Sequence, residues 1–77
     1  MNAFKHRPEL DEFEEQARKK ASAGFCEGSC DSHFGKVSSY RVVAADGTDW
    51  GWFSYCESAL KQDTERGFFL FDETPAH

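Results

Sequence analysis

The chain has 77 residues, 39% of them hydrophobic, and its 14 acidic side chains outnumber nine basic ones to give a net charge of −5. At this length the apolar area buried on folding leaves only ~3–5 kcal/mol once conformational entropy is subtracted, so one small domain over 1–77 is expected, and a staple would help it. The charge argues against nonspecific nucleic-acid binding, because the only basic run is Arg18-Lys19-Lys20 and phosphate contacts need Lys and Arg gathered on a face.

Residues 1–7 and 72–77 read as flexible ends. From Pro8 the pattern is helical to about residue 24, with Leu10, Phe13, Ala17 and Ala21 forming one narrow apolar stripe. Pro8 suits the first helical position, acids crowd the front, and Arg18, Lys19 and Lys20 fill the last turns, which complements the helix dipole. Glu14–Arg18 and Glu15–Lys19 are i,i+4 pairs in the favourable direction, and Gly24 is a C-terminal cap.

The stretch from Cys26 to His33 is a loop by composition, bracketed by Gly28 and Gly35. A strand is expected from Lys36 to Ala45, with Tyr40, Val42 and Ala44 on one face and Arg41 and Val43 on the other. Asp46-Gly47 signals a hairpin, and the return strand, Thr48 to about Phe53, sets Trp50 and Trp52 on one face. Ser54 and Glu57 match a capping box for a helix over about Tyr55 to Arg66, ended by Gly67. Phe68 to Phe71 is short and apolar, able to add a third strand.

The apolar material is mostly aromatic, with eight Phe, two Trp and two Tyr and no Ile. A few such rings make a feasible core. Alternation in the hairpin, however, puts Trp50 and Trp52 on one face and Phe53 and Tyr55 on the other. Either two helices sandwich the sheet, or one aromatic face is exposed as a surface for protein.

The three cysteines and one histidine fall in the pattern C-x3-C-x2-H-x22-C, from Cys26 through Cys30 and His33 to Cys56. Structural zinc takes four sulfur or nitrogen ligands in a tetrahedron, and a tight loop offers two sulfurs to one ion at such spacing. A ligand at a helix N-terminus suits Cys56, because the positive end of the helix favours a thiolate. One structural Zn²⁺ held by Cys26, Cys30, His33 and Cys56 is therefore expected. Asp31, His6, His77, solvent or a second chain remain alternatives for the fourth place.

Loop, hairpin and helix in that order resemble the treble-clef group of zinc fingers over roughly residues 25–67. The resemblance implies that Cys26 and Cys30 are the knuckle pair and Cys56 the first helical ligand. The chain departs from the pattern in having three residues between the knuckle cysteines where two are usual, and Ala59 where a second helical ligand would stand. The expected architecture is a small zinc-stapled α+β domain: an N-terminal helix over 8–24, then a core over 25–71 comprising zinc knuckle, β-hairpin with short third strand, and C-terminal helix.

The residues from Met1 to Pro8 lack the apolar run of a secretory signal, and no stretch is long enough to span a bilayer. An odd number of thiols without secretory context favours metal over disulfides, so a cytoplasmic protein is expected, with no membrane partner. Cys30 and His33 read weakly as nucleophile and base, since nothing near them supplies an orienting group or a phosphate loop. The function that fits is protein–protein interaction by a small non-enzymatic regulator or accessory subunit, with Trp50, Trp52 and Phe13 as contact residues. The alternatives are a nucleic-acid-associated zinc finger and a small Cys/His or zinc-dependent enzyme.

Overall fold

The computed structural model of the chain describes residues 4–28 and 34–75. It is an α+β domain. A helical stretch begins as a 3₁₀ turn, Pro8–Phe13, and continues as helix α1, Glu14–Ser22. Strands β1, Ser38–Val43, and β2, Asp49–Tyr55, form an antiparallel hairpin, followed by helix α2, Glu57–Glu65, and strand β3, Phe69–Phe71. The sheet order is β2-β1-β3, so β1 is central and β2 is an edge.

Local chemistry explains most of these boundaries. Pro8 fixes the first turn while Arg7 before it is extended, as a residue preceding proline must be. Glu14–Arg18 and Glu15–Lys19 both close as ion pairs on α1, at 2.6 and 3.4 Å. Each helix ends in a Schellman motif. Gly24 N–H donates to Ala21 O and Phe25 N–H to Lys20 O, and the same pattern recurs at Gly67 and Phe68. The hairpin turn is one residue longer than a two-residue Asp-Gly turn, for Gly47 N–H donates to Ala44 O while Ala44 N–H donates to Thr48 O.

Both faces of the sheet are covered. Val42, Tyr55, Cys56 and Ala59 form the buried cluster on the α2 side, with Tyr40, Phe53, Phe68 and Leu70 packed around it. The opposite face, carrying Arg41 and Trp52, lies under α1, which packs on β1 and β2. Residues 5–7, expected to be loose, instead run beside the start of β2. Lys5 pairs in parallel with Thr48, and Arg7 N–H donates to the Asp49 carboxylate at 2.9 Å.

The alternation expected for the tryptophans is broken by a bulge. Val42 pairs with Gly51 but Val43 with Asp49, so Trp50 is an extra residue on β2. Gly51 adopts φ +91°, which admits the bulge, and Leu10 lies so close that an added Cβ would sit 3.3 Å from its side chain. The two indoles therefore part. Trp50 is 54% exposed and meets Phe68 edge-on, whereas Trp52 is only 5% exposed, with the guanidinium groups of Arg18 and Arg41 5.8 and 5.9 Å from its ring.

Arg41, read from the sequence only as lying on the face opposite Tyr40 and Val42, is fully buried. It survives there because its donors are all engaged. Nε donates to Asp49 Oδ1 at 2.8 Å and Nη2 to Asp49 Oδ2 and to Arg7 O. Nη1 donates to Asp11 Oδ1 at 2.5 Å and to Thr74 Oγ1. Asp49 also accepts from Gly51 N–H and Arg7 N–H, both at 2.9 Å. Burial alone would raise the Asp49 carboxyl, but Arg41 and these two amides outweigh it and hold it below the ordinary 3.8. Asp11 is held low by His6 first and then by Arg41.

Removing one member of such a buried pair strands the other. Arg41→Ala is expected to cost about 3–5 kcal/mol in urea unfolding. A carboxylate whose folded pKa is depressed contributes stability that is complete above its unfolded pKa of about 3.9 and is lost as pH falls through the folded value. Wild-type unfolding midpoints should therefore drop below about pH 4, and Asp49→Asn, less stable at neutral pH, should flatten that dependence.

Candidate metal centre

Cys26 and Cys56 are far apart in sequence and close in space. Cys26 Sγ accepts the backbone N–H of Cys56 at 3.3 Å and that of Gly28 at 3.4 Å. Cys56 Sγ accepts from Ala59 N–H at 3.5 Å, which makes Cys56 itself the N-cap of α2. Both sulfurs thus gather at the first turn of that helix, where backbone amides point outward without intrahelical partners.

The helix start differs from the expected capping box. Ser54 stays in β2, fully buried, and its hydroxyl donates to Phe25 O at 2.7 Å, so Ser54 cannot cap. Its backbone is held as well. Ser54 N–H donates to Glu27 Oε2 at 2.9 Å and Ser54 O accepts Glu27 N–H at 2.7 Å. Phe25 and Glu27 are thereby fastened to the outer edge of β2, with Cys26 between them. Lys20 completes the clamp by an ion pair with Glu27 at 2.7 Å. Sequence reasoning had no reason to single out Glu27, whose role appears only when the edge of β2 is known.

Cys30, His33 and Asp31 lie outside the described residues, as does His77. Both residues flanking 29–33 are nevertheless tied to the same helix turn. Gly28 packs so tightly on α2 that a Cβ there would come 2.5 Å from Ala59 Cβ. On the other side Phe34 O accepts Glu57 N–H at 3.2 Å, and the Glu57 carboxylate accepts Lys36 N–H at 3.2 Å. His6, an alternative fourth ligand, is turned to Asp11 at 3.0 Å. Among the described residues, no three His, Cys, Asp or Glu side chains are gathered as a metal site.

The three contact candidates have different settings. Trp50 and Phe13 present exposed rings, at 54 and 39%. Trp52 is interior, for the reason given above, and reaches the surface only as part of the wall of a groove beside β2. Phe25 and Phe34, which lie on either side of the cysteine loop, are also exposed, rather than packed in the core.

Searches against protein-family models, curated proteins and solved structures find no match to this chain. No helix among the described residues is long and apolar enough to cross a membrane.

The Gly28–Ala59 contact fixes where the cysteine loop leaves α2. Gly28→Val is expected to destabilise the chain by about 1–3 kcal/mol through overpacking, read from denaturant midpoints.

Proposed function

We propose that this chain is a small, non-enzymatic zinc-binding protein that acts as a regulator or accessory subunit by binding another protein. The observation that supports the zinc site is the convergence on the first turn of α2. Cys26 Sγ and Cys56 meet there, and Gly28 and Phe34 are anchored there too. In sequence Cys30 is two residues from Gly28 and His33 is next to Phe34, which supports counting both among the four ligands. Three thiolates and one imidazole form a closed structural set, with no position left for a reactive water. Amide N–H groups turned on Cys26 and Cys56 are the outer-shell contacts that balance charge on metal-bound sulfur.

The order of ligand loop, hairpin and ligand-bearing helix is that of a treble clef, with His33 in place of a second helical ligand. Zinc then acts as the staple that a core of this size lacks. Binding is assigned to the exposed rings of Trp50 and Phe13, since exposed aromatic patches of this kind are the usual anchors of protein interfaces. The net charge of −5 favours a protein partner over nucleic acid.

Protein purified without added metal should carry about one equivalent of zinc and should unfold when a strong chelator removes it; a metal-free chain with unchanged circular dichroism would refute the proposal. Cys56→Ser separates the two roles of that residue. Serine is a good N-cap, so at saturating zinc the helix start should survive, while zinc affinity falls steeply.

A further inference from the structure

The segment that carries Cys26 is fixed on both sides. Phe25 O accepts the Ser54 hydroxyl at 2.7 Å, and Glu27 N–H donates to Ser54 O at 2.7 Å while its carboxylate accepts Ser54 N–H at 2.9 Å. Cys56 is fixed as well, because it stands between the last residue of β2 and the first of α2. The backbone therefore brings together two thiols that lie 30 residues apart in sequence. Cys26 Sγ is 3.3 Å from the backbone nitrogen of Cys56, and Cys56 Sγ, separated from that nitrogen only by Cα and Cβ, accepts Ala59 N–H at 3.5 Å. Both cysteines are reduced. A disulfide needs its Cβ atoms about 3.5–4.5 Å apart, an approach within reach of side-chain rotation once one sulfur lies against the other residue's backbone.

The two thiols differ in access. Cys56 is 1% exposed, whereas Cys26 is only partly buried. A small oxidant therefore meets Cys26 first, and a bulky thiol such as glutathione is kept from Cys56. In a metal site of the kind proposed above both sulfurs are thiolates, which is the form that reacts.

The geometry points to Cys26 and Cys56 as a peroxide-sensitive pair, which oxidation joins in a disulfide that releases the zinc and takes over its stapling role. The Cys26 thiolate attacks the O–O bond of hydrogen peroxide. An S–O bond forms, and the departing hydroxide takes a proton from solvent to become water. The Cys56 thiolate then attacks Cys26 Sγ, forming the S–S bond and expelling the sulfenic oxygen as a second hydroxide, which is protonated likewise. The two sulfurs together give up two electrons, and the peroxide is reduced to two waters. Both sulfurs are thereby withdrawn from the metal, which keeps too few ligands for a closed site. The release of metal rests on the proposed zinc site, but the disulfide needs only the observed convergence of the two cysteines.

The test treats the full, zinc-loaded chain with hydrogen peroxide, stops the reaction with catalase and follows zinc release with a chromogenic chelator. Non-reduced peptides are then mapped by mass spectrometry after cleavage behind Glu27, which separates Cys26 from Cys30. A Cys26–Cys56 linked peptide should dominate, thiols titrated in the denatured chain should fall from three to one, and about one equivalent of zinc should appear. The oxidised chain should keep its circular dichroism in strong chelator, which the reduced chain loses, and dithiothreitol should restore that sensitivity. Cys30→Ser should still form the link; if that variant does not fold, the wild-type peptide map decides alone. A dominant link through Cys30, a sulfinic acid at Cys26 without any link, or zinc retained in excess peroxide overturns the inference and leaves the zinc reading intact. A chain purified without zinc that still forms the Cys26–Cys56 link refutes the zinc reading and supports the pairing.

Discussion

The buried pair of Arg41 and Asp49 is the interaction on which the arrangement of this chain depends. Two charges taken out of water cost several kcal/mol each, and their mutual attraction offsets that only with good geometry and filled hydrogen bonds. Here the guanidinium meets the Asp49 carboxylate through both Nε and Nη2, and its other hydrogens go to Arg7, Asp11 and Thr74. Arg41 and its four partners come from five separate places in the sequence. The pair thus fixes the start of the chain, the 3₁₀ turn, both strands of the hairpin and the C-terminal tail relative to one another. Hydrophobic burial supplies most of the stability, but it is not directional and would not choose this arrangement over a slipped one.

The opposite end of β2 is organised around Ser54, Glu27 and the two described cysteines. Asp49 closes one end of the strand and Cys56 follows the other, so the sheet is held at two points with a small core between them. In the zinc reading the second point is a metal, and the two staples divide the work. One sets the path of the N-terminal segment over the Trp52 face. The other holds Cys26 and Gly28 against α2. Between them lies Trp52, whose buried indole N–H has no hydrogen-bond partner among the described residues.

Much of this was legible in the sequence, because it rests on local rules. Both helices, the hairpin, the third strand, the two glycine caps and the ion pairs on α1 follow from periodicity, charge order and turn chemistry. The approach of Cys26 to Cys56 also followed, from the loop-hairpin-helix order. What failed depended on distant partners. Alternation put Arg41 opposite Val42 but could not reveal that Asp49 and Asp11 would bury it. Gly51 falls inside the expected return strand, yet its positive φ admits the bulge that separates Trp50 from Trp52. Ser54 fits a capping box in sequence, and loses that role because the Phe25 carbonyl, 29 residues away, takes its hydroxyl. The cap passes to Cys56 and the helix begins at Glu57.

The central claim is that Cys26, Cys30, His33 and Cys56 share one zinc ion at the start of α2. X-ray absorption at the zinc edge, on protein purified without added metal, tests this most directly. The account predicts a four-coordinate first shell of three sulfurs at about 2.3 Å and one nitrogen at about 2.0 Å. A first shell of oxygen and nitrogen alone, or no zinc edge above background, would contradict it.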